Sequence, residues 1–173
     1  MQPVRAYIGI GSNLDHPVAQ VGQALQALHD LPACANVVGS PLYRTAPVGG
    51  PPDQPDYINA VVALDTTLAP DDLLKALQAI ETRQGRVRTV HWGARTLDLD
   101  LLLYDQTIRN DPWLTLPHPR LHQRAFVLQP LHDLAPLLTI PGRGTLAELL
   151  AFCSPQGITR LELTATGQRD QPY

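Results

Sequence analysis

The chain opens on VRAYIGI, residues 4–10, a run of β-branched and aromatic positions closed by Gly11-Ser12-Asn13, which predicts a strand ending in a turn. From residue 17 the period changes. Val18, Val21, Leu25 and Leu28 recur at helical spacing behind Pro17, a residue suited to the first helical position, so the pattern predicts a helix over 17–31. Residues 36–46 (NVVGSPLYRTA) and 57–67 (YINAVVALDTT) read as two strands. Between them PVGGPPDQPD holds four prolines and two glycines, which excludes regular structure. A second helix is expected over 70–84: Pro70, Asp71 and Asp72 suit its first turn, and Leu73, Leu74, Leu77 and Ile80 form its apolar stripe. A strand over 97–104 follows. The order β-α-β-β-α-β predicts an α+β, ferredoxin-like fold with a mostly antiparallel sheet and both helices on one face.

The remaining residues form an extension. A short helix is expected over 125–134 and another from Thr145, where Thr145 and Glu148 have the spacing of a reciprocal cap. These would cover the bare face of the sheet and complete an α/β/α sandwich. One domain over 1–165 is expected, with a polar tail at 166–173 that frays.

Composition narrows the class. No apolar run approaches the length of a membrane span, and MQPVRAYIGIGSNLD has neither a charged leader nor a long apolar core, so a cytoplasmic protein is expected. Cys34 and Cys153 stand far apart in apolar company, as reduced, buried thiols would. A formal net charge of −3 and an isoelectric point near 6.0 provide no global attraction to nucleic acid or anionic lipid. A site for a polyanion must therefore be a local concentration of charge.

That concentration is RVRTVHWGARTLDLD, residues 86–100. In the strand at its end the period is two, so Asp98 and Asp100 project from one face and the leucines from the other. Two neighbouring carboxylates raise each other's pKa unless a cation neutralises them, and an all-oxygen set with no nearby thiolate points to Mg²⁺. Arg86, Arg88 and Arg95 can bond phosphate oxygens, and Trp92 offers a flat face beside Gly93. A metal-bound polyphosphate would satisfy cations and acids together, as in phosphoryl transfer. Neither a phosphate-binding G-x-x-x-x-G-K-[ST] loop nor a G-x-S-x-G elbow occurs, and GIGSNL lacks the third glycine of a dinucleotide fingerprint. Asn59, an amide in an apolar strand two residues from Tyr57, could read the edge of a flat heterocycle; Phe126 lies beside Arg124, and His118 could bond a phosphate or sugar. The competing reading, a single-strand nucleic-acid binder using Arg and Trp, is opposed by Asp98 and Asp100, which would repel the backbone.

YIGIGSNL (7–14), YRTAPVG (43–49), DQPDYIN (53–59), IETRQGRVR (80–88), WGARTLDLDLLLY (92–104) and LTLPHPRLHQRAFVLQPL (114–131) together resemble the 6-hydroxymethyl-7,8-dihydropterin pyrophosphokinase family, in order, over about three-quarters of the chain. The resemblance implies a ferredoxin-like sandwich that transfers pyrophosphate from ATP to the pterin hydroxymethyl group and releases AMP, in folate biosynthesis. It implies two Mg²⁺ ions on Asp98 and Asp100, and Arg86 and Arg95 as phosphate contacts that assist transfer. Tyr57 and Phe126 would flank the pterin, Asn59 would read its edge, and Thr45, Pro47 and Val48 would line the same pocket. Gln78, Glu81, Arg88, Trp92, Arg95, Leu101, Thr115, His118 and Arg124 correspond to positions around the nucleotide. Partners would be the two small substrates, with no nucleic acid or membrane, on a chain expected to act as a monomer. Residues 85–94 would close over both substrates and exclude water. Trp113 and Pro119 depart from the family pattern, standing where some members carry a basic residue and an aromatic.

Overall fold

The computed structural model describes residues 2–14, 16–46, 54–85, 97–153 and 157–164. Alternation shapes its first element, β1 (Val4–Ser12): Ala6, Ile8 and Ile10 point into one core, while Gly9 and Gly11 occupy the opposite face. Helix α1 (Pro17–His29) buries Val21, Ala24, Leu25 and Leu28. The strand expected over 36–46 is divided into β2 (Cys34–Gly39) and β3 (Pro41–Thr45). Both pair with β4 (Tyr57–Thr66), and the division falls at Ser40, whose Oγ accepts the Val61 N–H at 2.9 Å just before Pro41, which has no N–H to donate. Helix α2 (Pro70–Arg83) carries Asp71 and Asp72 in its first turn and buries Leu73, Leu77 and Ile80; Leu74 is only half-buried. Strand β5 (Asp98–Tyr104) completes the expected order.

Strands β5, β1, β4 and β3 lie side by side, every neighbouring pair antiparallel, with β2 also paired to β4. A bulge between Ile8 and Tyr7 leaves Leu102 without a cross-strand partner, so both Leu102 and Leu103 reach the face opposite α1 and α2. The chain then forms the hairpin β6 (Arg109–Asn110) and β7 (Thr115–Leu116), tied to α2 by two bonds from Arg109 to the Asp71 carboxylate, of 3.0 and 2.8 Å. A 3-10 turn, Leu121–Gln123, leads into α3 (Ala125–Leu134). The short pair β8 (Thr139–Ile140) and β9 (Gly144–Thr145) precedes α4 (Leu146–Phe152). The reciprocal cap expected at Thr145 and Glu148 is present in both directions, at 3.2 and 3.3 Å.

Residues from α1 and α2 share one core with Ile8, Ile10, Val62, Leu99 and Leu101. Val127, Leu128 and Leu131 of α3 and Leu146 of α4 form a second with Val61, Leu102 and Leu103. Helices thus cover both faces, as the α/β/α expectation required. A further strand, β10 (Thr159–Thr164), which the sequence pattern does not predict, extends the sheet beyond β3. Its sequence pattern is short, and only the open edge of β3 gives its backbone partners. Cys34 and Cys153 are free thiols, half-buried rather than enclosed. None of the described helices is long and apolar enough to cross a membrane.

Tyr43 joins β3 to α3: its ring is buried, and its hydroxyl donates to the exposed carboxylate of Asp133. Burial, the bond to Asp133 and that residue's negative charge all raise the Tyr43 pKa, keeping the phenol a donor. Tyr43→Phe keeps the ring and removes the bond. It is expected to cost about 1 kcal/mol in urea denaturation, because the carboxylate it abandons returns to water.

Candidate active site

A cavity of about 710 Å³ opens on the α3 side of the sheet and reaches round its β5 edge to α2, walled by β1, β3, β4, β5, α2, the 118–124 turn and the start of α3. Its floor follows from strand register. Gly11 faces Asn59 on one side and Asp98 on the other, and Gly9 faces Asp100. Directly opposed residues project to the same face, so Asn59, Gly11 and Asp98 form a row across three strands, with Asn59 and Asp98 roughly 10 Å apart. The glycines keep this floor at backbone level. A Cβ on Gly11 would come within 2.9 Å of Asn59 Oδ1, and one on Gly9 would meet Leu102 at 3.4 Å.

At one end Asn59 is 7% exposed and donates through Nδ2 to Thr45 Oγ1 at 2.7 Å. This supplies the partner that a buried amide requires. Tyr57, on the same strand face, and Phe126, at the start of α3, also line the cavity and are half-buried. The sequence-predicted Thr45, Tyr57, Asn59 and Phe126 therefore meet in one place. Pro47 and Val48 lie outside the described residues.

At the other end Asp98 and Asp100 face the cavity from β5 while Leu97, Leu99 and Leu101 are buried. Strand β5 is the last in its sheet, so an outward N–H needs a partner other than a strand. Glu81, 4% exposed, accepts the Leu99 N–H at 2.9 Å and so anchors the backbone between the two acids. Among the described residues no group of three or more His, Cys, Asp or Glu side chains is gathered to hold a metal. Two carboxylates on one face remain a suitable donor set for Mg²⁺, which commonly takes one or two protein carboxylates and fills its other positions with phosphate and water.

Gln78, His118 and Arg124 complete this end. Arg124 precedes α3 and places its guanidinium carbon 5.6 Å from the centre of the Phe126 ring, close enough for a cation–π contact. Burial lowers its pKa, which Asp100 and Asp98 partly restore. The backbone N–H of His118 donates to Leu102 O at 2.9 Å, and its ring Nδ1 accepts the Arg120 backbone N–H at 3.2 Å. In the neutral ring this puts the proton on Nε2, a donor toward an acceptor. Burial first, then the Arg124 charge, pushes the His118 pKa down to about 4 against Asp98, which pulls it up.

An unfolded imidazole gains a proton below about 6.5, whereas the folded one stays neutral to about 4, so protonation favours the unfolded chain. The stability carried by the neutral ring is intact above about 6.5 and is lost as pH falls through about 4. The loss is on the order of 3 kcal/mol. Urea denaturation of the protein and of His118→Gln at pH 7 and pH 4 is expected to show a smaller loss in the variant.

Two expected nucleotide residues are not brought to the cavity wall. Leu101 is 3% exposed within the α1 and α2 core, and Thr115 is half-buried on β7. Contact at Leu101 would fall to its backbone. Arg86, Arg88, Trp92 and Arg95, with the expected closing loop from residue 86 onward, lie outside the described residues. Gly9, Gly11, Arg120 and Gln123 line the cavity although the sequence reading gave them no part. A signal existed for the glycines: a glycine within a strand marks close backbone approach, and a spacing of two puts both on one face.

The model of the 7,8-dihydro-6-hydroxymethylpterin-pyrophosphokinase family matches residues 7–136. The 2-amino-4-hydroxy-6-hydroxymethyldihydropteridine pyrophosphokinase of Pseudomonas aeruginosa is 54% identical over 157 residues, 91% of this chain and 96% of that protein. The protein of the same name from Haemophilus influenzae is 47% identical over 147 residues, 85% of this chain and 91% of its own length. Among solved structures, wild-type Plasmodium falciparum HPPK-DHPS with SDX-DHP superposes with a TM-score of 0.64 at 14% identity. That likeness is one of fold, over 86% of this chain and 43% of the larger one. Similarity running through the strands and turns that wall the cavity makes the chain a member of the 7,8-dihydro-6-hydroxymethylpterin-pyrophosphokinase family.

Proposed function

We propose that the protein transfers the terminal pyrophosphoryl group of ATP to the hydroxymethyl oxygen of 6-hydroxymethyl-7,8-dihydropterin, releasing AMP, as a step of folate biosynthesis. The observation that carries this reading is the row Asn59, Gly11, Asp98. It places a fixed amide and a carboxylate at the two ends of one floor, with no side chain between them. A flat heterocycle can lie over the floor beside Tyr57 and Phe126 with its edge on Asn59, and its hydroxymethyl arm then points toward the acids.

Two Mg²⁺ ions on Asp98 and Asp100 would neutralise the polyphosphate and expose its β-phosphorus to attack. The rest falls to the chain. Arg124 supplies a fixed positive charge to phosphate oxygens, and His118 offers Nε2–H as a neutral donor. Glu81 holds the Leu99 backbone, which keeps both acids aimed into the cavity. In the transfer, the bond from the hydroxymethyl oxygen to the β-phosphorus forms, the hydroxyl proton passes to solvent water, and the bond from the β-phosphorus to its α-bridging oxygen breaks. AMP leaves with that electron pair. Arg86 and Arg95 would cover the phosphates from the loop ahead of β5, with Arg88 and Trp92 beside the nucleotide, and Pro47 and Val48 would extend the pterin wall from Thr45.

Incubation with ATP, Mg²⁺ and 6-hydroxymethyl-7,8-dihydropterin tests the reading. AMP should appear in step with pterin consumption, and both should stop when Mg²⁺ is chelated. Formation of ADP would make the protein a simple kinase and overturn the proposal.

A further inference from the structure

Arg120 stands in the turn between His118 and Arg124 and lines the cavity from an exposed position on its rim. Building on the pyrophosphoryl-transfer reading, we propose that the Arg120 side chain is a further nucleotide-binding group, gripping the ATP polyphosphate beside His118 and Arg124.

Its backbone is held from both sides. The N–H donates to His118 Nδ1 at 3.2 Å, and the carbonyl accepts the Gln123 N–H at 3.1 Å, which sets the Cα–Cβ bond from which the side chain starts on the cavity rim. The positive charge of Arg120 disfavours protonation of His118 and opposes the charge on Arg124, which brings its guanidinium into the same electrostatic neighbourhood. Arg120 and Arg124 repel each other, Asp98 and Asp100 offset part of that cost, and a multivalent anion between the two guanidiniums adds attraction to both. The planar fork of arginine suits phosphate oxygens. Position selects the polyphosphate over the pterin. The turn is docked on β5 through the His118 N–H and Leu102 O, whereas Asn59 and Thr45 lie across the sheet on β4 and β3. The two functions of Arg120 are also separable, since Arg120→Ala keeps the N–H that fixes the His118 ring.

Calorimetric titrations of the protein and of Arg120→Ala with an ATP analogue methylene-bridged between its α- and β-phosphorus, in Mg²⁺, test the proposal, with AMP and 6-hydroxymethylpterin as parallel probes. Losing a charge-assisted contact should raise the Kd of the analogue by about tenfold to a hundredfold. AMP and pterin should stay within about twofold, and Arg120→Lys should recover part of the loss. In turnover the KM for ATP should rise with kcat little changed. Undiminished analogue binding by Arg120→Ala overturns the proposal, as does an equal loss for AMP or for the pterin. If the unaltered protein binds no analogue, the transfer reading falls and the proposal with it.

Discussion

Asp98→Asn and Asp100→Asn are each expected to lower AMP release about a hundred- to a thousandfold, the usual scale for removing a group that stabilises charge in the transition state. The folded protein should survive. Strand β5 is held by backbone pairing with β1, by the Glu81 bond to Leu99 and by the burial of Leu97, Leu99 and Leu101, none of which needs the two carboxylates. The nearby Arg124 charge already offsets part of the repulsion between the two acids, so each substitution should shift the melting temperature little. A large loss of turnover without a loss of stability is the mark of a residue placed for chemistry rather than folding. Steady-state AMP release and thermal melts without Mg²⁺ together check the prediction. Turnover near that of the unaltered protein in both variants would remove these acids from the mechanism.

Gly11→Ala is expected to weaken pterin binding by about tenfold to a hundredfold while leaving ATP affinity nearly unchanged. The added Cβ would come within 2.9 Å of Asn59 Oδ1, a separation that real Cβ atoms essentially never show. The amide cannot easily retreat, because it is 7% exposed and its Nδ2 is bonded to Thr45 Oγ1 at 2.7 Å. Either the head turns and its donors and acceptor face the wrong way, or β1 moves away from β4. Asp98 is the partner of Gly11 on the other side, but its side chain is not among the nearest contacts of the added Cβ. Titration with 6-hydroxymethylpterin and, separately, with an ATP analogue measures the two affinities. Asn59→Ala should reproduce the pattern, whereas an unchanged pterin affinity in Gly11→Ala would mean that the amide does not read the ring.

The main elements were legible because their signals are local. A period of two over residues 97–104 and a helical period behind Pro17 and Pro70 need no tertiary context, and the reciprocal cap at Thr145 and Glu148 is written within four residues. Where the reading departed from the structure, the cause lay elsewhere in the chain. Ser40 divides one expected strand through its bond to Val61, and β10 is a strand only against β3. Asn59 was conspicuous as an amide among apolar residues, yet its partner Thr45 comes from another strand. Glu81 was expected beside the nucleotide; its bond to the edge of β5 appears only once helix and strand are packed together.

By itself the sequence determined the α+β order of elements, the shared face of Asp98 and Asp100, and the family motifs that carry the resemblance. These depend on residue type, period and spacing. Tertiary structure alone decided that Gly11 lies between Asn59 and Asp98, that Glu81 sets the backbone between the two acids, and that Arg120 and Arg124 share a cavity with them. Strand register and the docking of the 118–124 turn bring together residues far apart along the chain. Those distances are fixed by packing over the whole sheet, which no local pattern encodes.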